Sequence, residues 1–317
     1  MRILFAGSPA IAVPALETLC KTKGIELTGV LTNPDSPRGR KGAAQPTEVG
    51  EAAESAAIPI LKPLKLDAPL REQVSLLKPD LLISFAYGHI FGPKFLALFP
   101  LGGINIHASL LPRHRGPSPI QAAILSRDTV TGIAIQTLAP QMDCGDILAQ
   151  RQLQLTGGET TATLGLEMAR IAAEMLPDLL LSIKEGKAKG TAQNHSEASY
   201  CSLFTKADGL IDWTKSAAEI EARIRAFNPW PLCRTIHKEK ELLILKSAIY
   251  GKDTNQFDDK SRKNAGQVLG IDKNDGILIQ TGDDILAVTE LQYQGKKALI
   301  WRDFLNGARD FTGSQLG

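Results

Sequence analysis

Asn105 and His107 stand two residues apart in GINIHA, a run whose other side chains are apolar or small. If that run is a strand, both polar side chains leave the same face. An amide beside an imidazole is equipment for polarising a carbonyl and moving a proton. Each residue alone also fits a plainer reading, a core histidine with its hydrogen bonds satisfied and an asparagine at a turn. The stretch that follows, SLLPRHRGPSPI, makes the pair less ordinary. Two leucines lead into Pro112, whose ring fixes φ, and then into a loop of arginine, glycine and proline suited to presenting backbone N–H and C=O groups to a planar ligand. Asp143, in MDCGD, comes after the next strand. With Gly145 it fits an Asx-type turn about as well as a second role. In that role it reaches a neighbouring strand end, accepts a hydrogen bond from His107 and raises the imidazole pKa.

Side chains of this kind need a frame to hold them. RILFAG, ELTGVLT, DLLISFA, GINIHA and GIAIQTL are apolar at nearly every position, as in a parallel sheet covered on both faces. Between them AVPALETLC, PTEVGEAAESAA and APLREQVSLLK carry helical spacing. This βαβ rhythm predicts a Rossmann-like, open, mostly parallel α/β sheet. Ligands of such sheets bind beyond the carboxyl ends of the strands, which is where the strand of His107 ends. FAGSPAI occupies the place of a dinucleotide fingerprint, but Gly7 is followed by Ser8, Pro9 and Ala10. Pro9 has no N–H for a pyrophosphate, so a nicotinamide-dependent oxidoreductase has little support.

The helical run TTATLGLEMARIAAEMLPDLLLSIKEG closes the first domain at about residue 187. Residues 188–207 are polar and turn-rich and are expected to form a linker. From 208 to 317 the pattern changes. A helix at SAAEIEARIRAFN precedes short strands at CRTIHK, ELLILKSAIY, AGQVLGI, GILIQT and DILAVTELQ, the spacing of a small antiparallel barrel or sandwich. FNPWP reads as a helix stop with an aromatic wedge.

At 317 residues the chain is long enough for two domains, at roughly 100 to 200 residues each. Apolar residues make up 43% and charged residues 22%, as in soluble globular proteins. No apolar run is long enough to span a bilayer. The N-terminal stretch is interrupted by Pro9, Pro14 and Glu17 and does not read as a secretory signal. Cys20, Cys144, Cys201 and Cys233 form no CxxC pair, so neither a zinc site nor a disulfide framework is indicated, and a cytoplasmic setting is expected. The net charge of +2 is too small to imply nonspecific polyanion binding, so any nucleic-acid contact would have to be local. Arg38, Arg40 and Lys41 in the long connection NPDSPRGRKGAAQPTEV would supply one for phosphates, although a solvated basic loop is the commoner case.

NIHASLLPRHRGPSPI, MDCGDI, the AYG strand end and SAAEIEARIRAFNPWP occur in collinear order, and together they resemble the methionyl-tRNA formyltransferase family along nearly the whole chain. The Asn/His/SLLP/Asp constellation is shared by the wider group of enzymes that use 10-formyltetrahydrofolate. The resemblance implies transfer of a formyl group from that folate to the α-amino group of methionine on initiator methionyl-tRNA, for translation initiation, with no metal. It implies catalytic roles for Asn105, His107 and Asp143. Folate contacts are implied at Ser109, Leu110, Leu111, Pro112 and Tyr87, and tRNA contacts at Arg38, Arg40 and Lys41. The second domain is implied to be an OB-like tRNA-binding barrel, and a monomer is expected. RHRGPSPI departs from the commoner pattern of relatives at His114, Pro117 and Ser118. Two alternatives stay open at this point: another formyltransferase or hydrolase of the same group, and a noncatalytic RNA-binding protein on the same fold.

Overall fold

The computed structural model describes residues 1–37, 42–252 and 264–317. It divides into two compact units. The first holds residues 1–120, 129–155 and 163–202, and the second the remainder.

The first unit is built on β1 (Arg2–Gly7), β2 (Glu26–Leu31), β5 (Ile60–Leu61), β6 (Leu81–Phe85), β7 (Gly103–His107), β8 (Val130–Thr137) and β9 (Ile147–Gln154), while β3 (Ser36–Pro37) and β4 (Ala44–Gln45) pair with each other apart from it. The order across the sheet is β5-β2-β1-β6-β7-β8-β9. It is parallel from β5 through β7, with Ile3, Leu4, Phe5 and Ala6 wholly buried at its centre. Burial on both faces is why these strands read as continuous apolar runs. β8 and β9 run antiparallel. An apolar run reports coverage on two faces and carries no information on direction, so the orientation of β8 was not readable from GIAIQTL. β9 was missed altogether, because this edge strand has no buried residue and its sequence, ILAQRQLQ, is largely polar.

Helices α1 (Val13–Lys21), α2 (Glu48–Ser55), α3 (Ala68–Leu76) and α4 (Pro93–Leu96) connect the parallel strands, and α5 (Pro119–Leu125) follows β7. Thr47 caps α2 by accepting from Gly50 N, and Asp67 caps α3 by accepting from Leu70 N, each cap contributing about 1 kcal/mol. α6 (Thr161–Lys184) is one continuous helix with Pro177 inside it, and buries Leu164, Met168, Ile171, Ala172, Met175, Leu176 and Leu179. That spacing is the apolar stripe of a helix lying on a core.

Residues 188–202 do more than cross to the second unit. Ile147 and Thr191 exchange backbone hydrogen bonds at 2.8 and 2.9 Å, Arg115 N donates to Ser199 O, and Cys201 N donates to Arg115 O. Most of its polar side chains are exposed, but Gln193 is buried and belongs to the site described below.

In the second unit, α7 (Ala217–Ala226) starts at a reciprocal capping box between Ser216 and Glu219. The sheet that follows comprises β10 (Cys233–His237), β11 (Lys240–Ile249), β12 (Val268–Asp272), β13 (Gly276–Gln280), β14 (Ile285–Tyr293) and β15 (Leu299–Ile300), with α8 (Trp301–Gly307) after it. Its order is β10-β11-β14-β13-β12, all antiparallel, with β15 on β14. The final residues close it into a barrel. Ile236 and Gly317 exchange hydrogen bonds on one edge strand, while Ser314 O and Leu316 N bond Val268 N and Gly266 O beside the other. The aromatic wedge after α7 is Phe227, fully buried and edge-on to Phe204 at 5.1 Å. Trp230 is 55% exposed, contrary to the expectation from FNPWP.

Candidate active site

Register on two neighbouring strands begins the site. On β7, Asn105 and His107 leave the same face. On β8, Gln136 lies directly opposite Asn105, so its amide enters from the adjoining strand. Because β8 is antiparallel, the loop after it starts away from the carboxyl end of β7 and must fold back. It does so through Thr137 N to Asp146 O and Asp146 N to Thr137 Oγ1, both 2.9 Å. Asp143 sits at the turn with φ of 55°, a left-handed conformation that Asp tolerates better than most residues. Gly145 is held against β8, where a Cβ would fall 1.8 Å from Thr137 O.

The carboxylate of Asp143 is thereby brought onto the face of Asn105 and His107. Its Oδ1 accepts from Gln136 Nε2 at 2.9 Å and from Asn105 Nδ2 at 3.5 Å, and lies 3.6 Å from His107 Nδ1. Its Oδ2 accepts from Gly116 N at 2.8 Å. These bonds reach across the fold to β7, β8 and the loop after β7, which is not the pattern of an Asx turn. The two short donors, Gln136 Nε2 and Gly116 N, are each worth about 1.5–3 kcal/mol. Gly116 has φ of 118° and its Cβ position is 2.2 Å from Cys201 O, so only glycine lets this N–H reach the carboxylate.

His107 is 5% exposed. Its Nε2 lies 2.9 Å from His114 O, and since a carbonyl only accepts, that nitrogen carries a proton. Nδ1, facing Asp143, is therefore the basic nitrogen of the neutral ring. Burial pushes the His107 pKa below the usual imidazole range, while the Asp143 carboxylate and the His114 carbonyl pull it up. Asp143 acts in the anticipated direction, but desolvation outweighs it, and a net rise is not what the environment produces.

Behind this trio lies a set of polar groups that sequence reasoning overlooked. Gln193, 7% exposed, donates from Nε2 to Gln136 Oε1 at 3.1 Å and to the carbonyls of Asp143 and Gly145 at 2.9 and 2.7 Å. Arg115, 1% exposed, donates to Gln193 Oε1 from Nε and Nη2 at 3.1 and 2.6 Å, to Tyr200 Oη at 3.2 Å and to His195 Nδ1 at 3.0 Å. The one signal available was Gln136, an amide in an otherwise apolar strand. Gln193 carried none.

Of the residues expected to meet a folate, Ser109 and Leu111 are buried and Leu110 and Pro112 half-buried. The Ser109 hydroxyl donates to Arg113 O at 2.6 Å, and Leu111 O accepts from Gln150 Nε2 at 2.8 Å. What this turn offers a ligand is apolar surface and backbone. Tyr87 follows β6, the neighbour of β7, and stacks on Phe91 with centroids 5.7 Å apart within the core row that continues to Phe95 and Phe99. Its hydroxyl is buried without a hydrogen-bond partner, and burial pushes its pKa to about 12. Arg38, Arg40 and Lys41 lie outside the described residues. Among the described residues, no group of three or more His, Cys, Asp or Glu side chains could hold a metal ion. No helix of the described residues is long and apolar enough to cross a membrane.

The family model "Formyl transferase" matches residues 1–180, and "Formyl transferase, C-terminal domain" matches residues 204–309. The chain is 48% identical over 319 residues to a methionyl-tRNA formyltransferase of Treponema denticola, covering 98% of each. It is 41% identical over 325 residues to that of Treponema pallidum (strain Nichols), covering 100% of this chain and 99% of the relative. Among solved structures it resembles HypX from Aquifex aeolicus in complex with tetrahydrofolic acid, with a TM-score of 0.63 at 17% identity, over 98% of this chain and 48% of that one; at that identity the likeness concerns the fold. With two domain models matched in order and relatives aligned from end to end, the chain belongs to the formyl transferase family and, within it, to the methionyl-tRNA formyltransferases.

Proposed function

We propose that the protein transfers the formyl group of 10-formyltetrahydrofolate to the α-amino group of methionine on initiator methionyl-tRNA. The observation that carries this reading is the convergence of Asn105, His107 and Asp143, within 3.6 Å of one another through Asp143 Oδ1, in a chain matched along its length by methionyl-tRNA formyltransferases. The tetrahydrofolate complex of a fold neighbour supports a folate as the donor.

The reaction is attack of an amine on a formamide-like carbonyl. An oxyanion forms, the amine loses a proton, and N10 of the folate leaves with one. Asn105 has amide N–H to spare, since its one contact at Asp143 is long, and donates to the formyl oxygen as negative charge develops. His107, kept neutral by burial and proton-bearing at Nε2, takes the amine proton at Nδ1. The imidazolium so formed faces the Asp143 carboxylate, which stabilises it until the proton passes to N10. Ser109, Leu110, Leu111, Pro112 and Tyr87 are the proposed folate contacts, with Leu110 and Pro112 the accessible ones. Arg38, Arg40 and Lys41 are the proposed tRNA contacts of the first domain, and the antiparallel barrel is a tRNA-binding module.

Charged initiator tRNA and 10-formyltetrahydrofolate incubated with the protein should yield N-formylmethionyl-tRNA. No product from either this acceptor or an amino-sugar nucleotide would end the formyl-transfer reading. Product from the amino-sugar nucleotide alone would move the acceptor to that class.

A further inference from the structure

We propose that Arg115 is a positioning residue for the formyl transfer, holding the Asp143 carboxylate in place beside His107 through a one-way hydrogen-bond chain formed by the side chains of Gln193 and Gln136. This rests on the reading of Asp143 as the partner of His107.

The direction of the chain follows from its two ends. A guanidinium has donors and no acceptor, and an ionised carboxylate has acceptors and no donor. Arg115 Nε and Nη2 donate to Gln193 Oε1, Gln193 Nε2 donates to Gln136 Oε1, and Gln136 Nε2 donates to Asp143 Oδ1. Turning either amide over would set donor against donor at one of its ends and acceptor against acceptor at the other. Both amides are thus locked, and Asp143 always meets an N–H. All three relay side chains are buried, Arg115 at 1%, Gln136 at 2% and Gln193 at 7% exposed. In such a setting linked hydrogen bonds polarise one another.

The backbone around Arg115 reaches the same pair. His114 O accepts from His107 Nε2, and Gly116 N donates to Asp143 Oδ2. Three consecutive residues therefore touch His107 on one side and Asp143 on the other, while the side chain between them reaches Asp143 Oδ1 by the longer route. Gln193 also ties down the backbone of Asp143 and Gly145, so loss of its orientation would free the loop that carries the carboxylate. A residue that only filled space would not need an unbroken donor sequence ending on Asp143.

The test compares wild type with Arg115→Met, Arg115→Lys, Gln193→Leu and the double variant Arg115→Met/Gln193→Leu, all checked for folding by circular dichroism. Two readouts are taken: the titration of His107 followed by ¹⁵N imidazole NMR, and the pH dependence of kcat with the folate KM. Removing a cation from a buried pair favours protonation, so Arg115→Met should raise the His107 midpoint by roughly one pH unit. The acid limb of kcat should move up with it, while KM stays within a few-fold of wild type. Gln193→Leu should move the midpoint the same way with Arg115 still present, the double variant should move it no further, and Arg115→Lys, which keeps a cation there, should undo most of the shift.

An unmoved midpoint in a folded Arg115→Met, or an unmoved midpoint in Gln193→Leu, overturns the relay, as does additivity in the double variant. If Arg115→Met does not fold, Gln193→Leu decides alone. Wild type that fails to formylate methionyl-tRNA defeats the functional reading, and the His107 midpoints still judge the relay.

Discussion

Asn105 and Gln136 stand opposite one another on antiparallel β7 and β8, and both direct their amide nitrogens at one oxygen, Asp143 Oδ1, at 3.5 and 2.9 Å. The two contacts are unequal. Gln136 is the short, buried donor that holds the carboxylate, and Asn105 the long, half-buried one with capacity left for a substrate oxygen. A difference in function follows from a difference in distance, and it separates the effects of replacing each residue.

Asn105→Ala and Asp143→Ala should each lower kcat by about 100-fold or more, the scale of a lost oxyanion donor or proton-transfer partner. Steady-state kinetics with charged tRNA checks this. Rates near wild type would assign both side chains to structure.

Gln136→Glu is nearly isosteric and sets a second carboxyl group against Asp143 at the position of a 2.9 Å hydrogen bond. Two carboxylates that close cannot both stay ionised, so one proton is retained to higher pH. The acid limb of the pH–rate profile should move up, with kcat at neutral pH down by roughly 10-fold or more. An unmoved limb would mean that the group at position 136 does not bear on the proton held by this site.

The pH profile of the unmodified protein has a definite sign. Burial lowers the pKa of His107 more than Asp143 raises it, so the ring stays neutral and able to accept a proton to lower pH than a free imidazole. The acid half-point of kcat should fall below about 6.5, the unperturbed histidine value. Asp143→Asn removes the opposing anion, and its residual activity should lose its acid half at still lower pH. A wild-type half-point above the unperturbed value would contradict this account of the environment.

Much of the site was legible because strand geometry is periodic. Asn105 and His107 had to share a face if GINIHA was a strand, whereas Asp143 fitted an Asx turn as well by its spacing and was singled out as the third member by the resemblance. What could not be read was everything set by pairing between distant segments. Whether β8 ran with or against β7 depended on the path between them, and that path puts Gln136 opposite Asn105 and makes the 141–145 loop fold back. Gln193 lay in a polar tract indistinguishable from a linker, and Arg115 in a loop where arginines are ordinarily exposed. The net pKa of His107 was beyond reach for the same reason, since burial depends on the whole fold and the Asp143 partnership on only two residues. In the second unit the strands were readable by their spacing, but closure of the barrel by 314–317 was not, because those residues show no strand pattern.

Gly116→Ala should weaken both catalysis and stability. The added methyl would meet Cys201 O, and φ of 118° is unfavourable for any side chain. A loss of about 1–3 kcal/mol in unfolding free energy is expected. Since Gly116 N donates to Asp143, kcat should fall well beyond what the fraction unfolded explains. Denaturant melts and kinetics on one preparation separate the two effects, and normal kcat in a destabilised variant would make this N–H dispensable.

Leu316, 1% exposed in the segment that closes the barrel, should cost about 2–5 kcal/mol when changed to alanine, as other buried leucines do. Urea denaturation monitored by tryptophan fluorescence checks it, since Trp213 is buried in the same unit. A change under about 0.5 kcal/mol, the range of surface substitutions, would show that closure adds little.

Formylation of charged initiator tRNA, assayed for wild type and His107→Ala side by side with 10-formyltetrahydrofolate as donor, tests the central claim most directly. The account predicts N-formylmethionyl-tRNA from wild type, and at least about 100-fold slower turnover from a folded His107→Ala that still binds the tRNA. Equal turnover by the two proteins, or none by wild type with active donor, would contradict it.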